Sequence, residues 1–154
     1  MPISPKLRSY LDRRGAQFDE VPHAKAQSAA EAAQAARVDR AHTGKAVLVR
    51  TGDGYMLAVV PASRHVELDE LKSWLGRSVQ LAEEGETERL FSDCDLGAIP
   101  PIGAAFDVET VVDEALFDGQ DVYFEAGDHR TLLHMSAADW RKAMNGAAHG
   151  AFSA

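Results

Sequence analysis

The stretch of this chain best suited to present its backbone to a ligand is Gly97-Ala98-Ile99-Pro100-Pro101-Ile102-Gly103, which follows the acidic run Ser92-Asp93-Cys94-Asp95. The two prolines fix φ and carry no N–H, while the flanking glycines reach conformations closed to other residues and leave main chain uncovered. Amide donors must then come from around Gly97 and Ala98, or from Ile102 and Gly103. A donor held in a stiff loop loses less ordering entropy on meeting a ligand than a mobile one does. Local chemistry alone favours an ordinary turn, because Gly and Pro punctuate most loops.

Side chains with chemical capacity are few. Cys94 lies between Asp93 and Asp95, whose charges keep a thiol protonated and argue against a nucleophilic role. The sequence contains neither Gly-x-Ser-x-Gly nor His-Glu-x-x-His, and its six histidines show no metal-ligand spacing. His129 and His134, on one continuous strand, would face opposite sides, so neither a metal nor a cofactor is expected. Lys45, Arg50 and Arg64 are the residues around which a small basic site could gather. On chemistry alone Lys45 reads as a solvated strand-end cation, and His129 equally as a surface-turn residue without a role.

Elements must bring these groups together. Ser4-Pro5 caps a helix whose Leu7, Tyr10 and Leu11 repeat at helical spacing before Gly15. Phe18 to Val21 reads as a short strand, and Ser28-Ala29-Ala30-Glu31 as a capping box heading an alanine-rich helix to about Arg37. Lys45–Arg50 and Tyr55–Val60 flank Thr51-Gly52-Asp53-Gly54, which predicts a β-hairpin; both runs are so continuously apolar that it should be central, covered on both faces. Leu68–Leu75 reads as a helix with Asp69 as cap, Val79–Ala82 as a strand, and Glu84–Phe91 as an acidic helix leading into the proline loop. Short strands are predicted at 105–108, 110–112, 121–124 and 131–135, and Ser136-Ala137-Ala138-Asp139 caps a last helix carrying Trp140 and Met144. Tyr55, Trp74 and Trp140 sit in periodic apolar runs and read as core. Without a sustained βαβ rhythm, the pattern predicts a single α+β domain over residues 1–145 with a mixed, mainly antiparallel sheet and surrounding helices. Residues 146–154 are small and aperiodic and are expected to form a flexible tail.

The 154 residues are enough for one substantial core. One cysteine excludes an internal disulfide and a four-thiolate metal site. No apolar run approaches bilayer length and the N-terminus lacks a secretory h-region, so a cytoplasmic location is expected. A formal net charge of −8 opposes broad adhesion to nucleic acid or to an anionic membrane, both of which require basic surface. An RNA partner would be held at an end, by a few residues.

In order and spacing, three marks resemble the YbaK/prolyl-tRNA-synthetase-associated domain family of trans-editing aminoacyl-tRNA deacylases, from about Pro22 to Trp140. Gly97 and Pro101 match a Gly-x-x-x-Pro loop; Lys45 opens a Lys-x-x-x-Val-Arg strand; and Ala126-Gly127-Asp128-His129 is similar to a Gly-x-His turn before a strand. The Ser28-x-x-Glu-Ala-Ala helix is also usual before that lysine. The resemblance implies hydrolysis of the ester of a mischarged tRNA carrying a small amino acid, alanine or cysteine class, with tRNA-Pro as one option. It implies water attack assisted by the substrate's own ribose hydroxyl, beside the Gly-x-x-x-Pro loop, with Lys45 handling the terminal adenosine or its phosphate. Lys45, Gly97, Pro101 and His129 are the expected catalytic residues. Ala98, Ile102, Gly103, Asp95 and Arg50 are the expected substrate-binding residues, Asp95 as a receiver of the aminoacyl ammonium. The implied partners are the aminoacyl-tRNA 3′ end and an aminoacyl-tRNA synthetase, with no membrane and no DNA. The alternative is a non-catalytic tRNA-end or nucleotide-binding module, or a protein-interaction domain, of the same fold.

Overall fold

A computed structural model of the chain describes residues 3–144 and 146–154. The chain runs α1 (Pro5–Arg14), β1 (Asp19–Pro22), α2 (Ala29–Ala36), β2 (Thr43–Thr51), β3 (Gly54–Pro61), α3 (Leu68–Leu75), β4 (Val79–Leu81), α4 (Glu84–Leu90), β5 (Glu109–Asp113), β6 (Val122–Glu125), β7 (Thr131–Met135), α5 (Ala137–Ala143) and β8 (Ala148–Gly150). The strands form one mixed sheet in the order β1-β7-β6-β2-β3-β5-β8, with β4 also pairing β2. Its β1–β7, β6–β7, β2–β3 and β2–β4 ladders are antiparallel, while β2–β6, β3–β5 and β5–β8 are parallel. This is the α+β architecture that the alternation of hairpins and helices predicts.

Local chemistry sets the element ends. The Ser4 hydroxyl accepts the Leu7 N–H, and Gly15 closes α1 at φ 68° in the left-handed region. Ser28 caps α2 by accepting the Glu31 N–H at 3.2 Å. The α3 cap position falls on Glu67, so Asp69 sits inside the first turn instead, where its charge complements the helix dipole.

The β2–β3 hairpin is central, and its continuous hydrophobicity has the expected cause. Leu48, Leu57 and Val59 enter a core with Leu7 and Leu11 of α1 and Trp140 of α5. On the opposite face Val49, Met56, Ala58 and Val60 pack with Leu71 of α3 and Phe152. A third cluster joins Ala26 and Ala32 to Leu132, so α2 covers the β6–β7 end.

Three further expectations need correction. Trp74, expected in the core, is 39% exposed. The 105–108 segment is no strand: Gly103–Phe106 form a 3-10 turn, closed by Asp107 at φ 58°. The C-terminal segment expected to be flexible instead adds β8 alongside β5. Phe152 is its anchor: only 1% exposed, it stacks on Trp74 at 5.6 Å and donates its N–H to Asp113. A single buried aromatic between small residues leaves no periodic trace in a sequence.

Candidate functional site at a gap in the sheet

The site forms where β2 and β6 part. Their parallel ladder comprises Thr43↔Tyr123 and Gly44↔Phe124 and then ends. The next residue of each strand, Lys45 and Glu125, lines a cavity of about 200 Å³ completed by Gly44, Ala46, Gly97, Ile99 and the Gln27-Ser28-Ala29 entry to α2. Residues far apart in sequence thus share one rim.

Three loops are tied together to build it. Ala26 donates its N–H to His129 C=O at 3.0 Å, His23 to Arg130 C=O at 2.8 Å, and Asp95 to Gly127 C=O at 2.8 Å. Within the last of these loops the Asp128 carboxylate accepts N–H groups of Arg130 and Thr131 and the Thr131 hydroxyl, each within 3.1 Å. That Asx-type turn holds His129 at φ 62°, a left-handed conformation uncommon for histidine.

Gly97 is fixed for two reasons. It sits at φ 87° in the turn closed by the Ala98 N–H on Asp95 C=O at 3.0 Å. A methyl group placed on it would lie 2.8 Å from Gln27 O and 3.1 Å from His129 Cε1. The Gly97 backbone therefore touches both neighbouring loops, and Gly97→Ala disturbs packing as well as the cavity. The Ala98 N–H, engaged within this turn, is not free to meet a ligand.

Other site residues expected from sequence fall in different places. Pro101 packs behind the cavity, its Cγ 3.4 Å from where a side chain on Gly44 would begin. His129 is buried against Gly97, with a Nδ1 that has no hydrogen-bond partner among the described residues. Asp95 is exposed and does not line the cavity. Ile102 lines a separate cavity with Val108 and Thr110. Gly103 is required for packing, since a Cβ there would clash with Thr110 Oγ1 and lie 2.5 Å from Val108 O. Arg50, at the far end of β2, places Nε 3.4 Å from Glu86 of α4.

The electrostatics of the cavity are unusual. Lys45 Nζ donates to Arg64 C=O at 2.6 Å, and partial burial lowers its pKa from the ordinary lysine value. Glu125 is 2% exposed and, among the described residues, neither of its carboxyl oxygens has a hydrogen-bond partner. Burial pushes its pKa up to about 8, and the Asp128 charge adds to the rise. His23, its side chain fully buried, places Nε2 3.8 Å from Glu125 Oε1. Cys94 is unsuited to nucleophilic work: burial first, then the hydrogen bond to Asp93 and its charge, push the thiol up to about 12.

Sequence reasoning missed Glu125 and His23. The signal for Glu125 was a carboxylate directly continuing the apolar run Val122-Tyr123-Phe124, where burial follows from strand geometry. His23 has no comparable local signal.

Comparison with known proteins bears on the family and the fold. The model of the aminoacyl-tRNA editing domain family matches residues 23–143. A protein provisionally described as a trans-editing enzyme for prolyl tRNA synthetase superposes with a TM-score of 0.83 at 23% identity, over 99% of each chain. The protein APE2540 superposes with a TM-score of 0.84 at 25% identity, over 97% of this chain and 99% of its own. A protein of Marinobacter aquaeolei VT8, provisionally described as a signal transduction protein, matches 96% of this chain with 30% of its own length, at 21% identity and a TM-score of 0.79. No curated protein matches. With the family model spanning 23–143 and the fold shared over nearly the whole chain, the protein belongs to the aminoacyl-tRNA editing domain family.

Proposed function

We propose that the protein is a deacylase that hydrolyses the ester of a mischarged tRNA carrying a small amino acid, alanine or cysteine class, with tRNA-Pro as one carrier. The observation that carries this reading is the shared rim: Lys45 and Gly97 line one small cavity walled by Ala29, Ala46 and Ile99. An acyl ester is already activated, so its hydrolysis needs a placed water, a stabilised oxyanion and a pocket that rejects larger side chains, without a strong protein nucleophile. The water oxygen adds to the ester carbonyl carbon, the bond to the ribose oxygen breaks, and that oxygen leaves with a proton. In this reading a neighbouring ribose hydroxyl orients the water.

Oxyanion stabilisation is assigned to the cavity's cationic side. Lys45 supplies a positive charge, and the first turn of α2 adds N–H groups that have no partner within the helix. Pro101 acts from behind by bracing Gly44, and His129 by bracing Gly97. Small walls exclude larger amino acids steeply, whereas rejecting a smaller one yields only about 1 to 3 kcal/mol per methylene. The substrate's side chain is therefore no larger than the cognate one.

A panel of mischarged tRNAs tests the reading. Loss of ester from a small-residue aminoacyl-tRNA, cut at least a hundredfold in Lys45→Ala with the fold retained, is the expected result. Binding of the acceptor end without turnover on any member of the panel would replace the deacylase by a non-catalytic binding module.

A further inference from the structure

Glu125 is a buried carboxyl group that no hydrogen bond among the described residues satisfies. Side chains of this kind are hydrogen-bonded in nearly all folded proteins, and an orphan costs free energy unless a ligand completes it. Glu125 also lines the cavity, on the strand beside Lys45, and the two do not form an ion pair among the described residues. Lys45 is held instead by Arg64 C=O. The cavity thus offers one cationic group and one separate, unpartnered carboxyl group between apolar walls.

An aminoacyl ester has the complementary pattern: a carbonyl oxygen that becomes negative during attack, and an α-ammonium group two bonds from the carbonyl carbon. Resting on the deacylase reading above, we propose that Glu125 is the acceptor for the α-ammonium group of the aminoacyl moiety, and so makes a free amino group a requirement for productive binding. Asp95, the acidic residue that sequence points to for this role, is exposed and outside the cavity.

The surroundings of Glu125 suit the task. In the folded protein it is held largely neutral by burial, with the Asp128 charge opposing ionisation further. An arriving ammonium reverses that balance by supplying the missing opposite charge. A neutral amine meeting the protonated carboxyl group gives the same ion pair with one proton transferred. If the substrate arrives already charged, the carboxyl proton leaves to water as the ion pair forms.

The test compares alanyl-tRNA with N-acetyl-alanyl-tRNA on wild type and Glu125→Gln, whose amide preserves shape and removes the negative charge. The wild type is expected to favour the free amine strongly. Glu125→Gln is expected to lose at least tenfold in kcat/KM for alanyl-tRNA, mainly through KM, with little change for the acetylated substrate, so that the preference collapses. Equal losses on both substrates, or no loss on alanyl-tRNA, would overturn the assignment. Calorimetry with a hydrolysis-resistant, amide-linked alanyl-adenosine and its N-acetyl form separates this from the deacylase reading. Binding that needs the free amine and weakens at least tenfold in Glu125→Gln, without turnover of any ester, supports the ammonium site while the deacylase reading falls. A wild type that binds both analogues equally, or neither, overturns the ammonium site. A thermal melt of the variant at pH 6 verifies that it is folded.

Discussion

At the scale of single residues, Glu125 leaves a signature on stability that is independent of any substrate. Its pKa rises from an ordinary carboxylate value to about 8 in the folded protein, so between these limits the folded state holds a proton that the unfolded chain has released. Stability from this group is complete below the unfolded value and is lost as pH rises through about 8, with a slope of up to about 1.4 kcal/mol per pH unit. The charged or titratable groups around it are His23, Lys45 and Asp128, and none of them gives its oxygens a hydrogen bond. Urea titrations at pH 5, 7 and 9 are expected to show wild-type stability falling over this range and Glu125→Gln flattening the fall. A second residue-scale contrast concerns two glycines of the proline loop. Gly103→Ala forces a Cβ into Thr110 and the Val108 carbonyl and is expected to destabilise by about 1 to 3 kcal/mol or more, as overpacking does. Gly97→Ala strains a positive φ and pushes on Gln27 and His129, so it should lower both stability and activity. The sequence marked both glycines as one unit, because composition does not reveal which neighbour each meets.

The elements were more legible than the contacts between them. The caps of α1, α2 and α5 come from Ser4, Ser28 and Ser136, each accepting an N–H three residues on, and such signals are local. The β2–β3 hairpin announced its burial through two unbroken apolar runs. The gap between β2 and β6 could not be read in that way, because it depends on a two-residue parallel ladder between segments about eighty residues apart in sequence. For the same reason Lys45 and Gly97 were identifiable as separate marks, while Glu125 and His23 acquired meaning only when the strands and loops were assembled. The β8 edge was hidden by its brevity. There the structure predicts that Phe152→Ala, which empties a buried ring site facing Trp74, costs about 3 to 5 kcal/mol in urea unfolding. Its effect should fall mainly on stability, because Phe152 packs with α3, on a cluster that lacks Gly97, Ile99 and Glu125.

For the whole molecule the controlling quantity is a formal charge of −8. A domain this acidic cannot lie along a tRNA body, whose phosphates would repel most of its surface, so contact is expected at the acceptor end. Filter-binding of aminoacyl-tRNA at several salt concentrations should give a slope of log K against log salt of about −1 to −3, since each single-strand phosphate neutralised contributes about −0.7. A steeper dependence would require a basic surface larger than the region around Lys45 and Arg64.

The central claim is that the aminoacyl group enters the gap between β2 and β6. A crystal structure with amide-linked alanyl-adenosine bound examines it most directly. The expected density places the alanyl carbonyl beside Lys45 and the α-ammonium on Glu125, with Gly97 against the ester position and the adenosine outside the cavity. Density for the alanyl group anywhere else on the protein, with the gap unfilled at saturating ligand, would contradict the account.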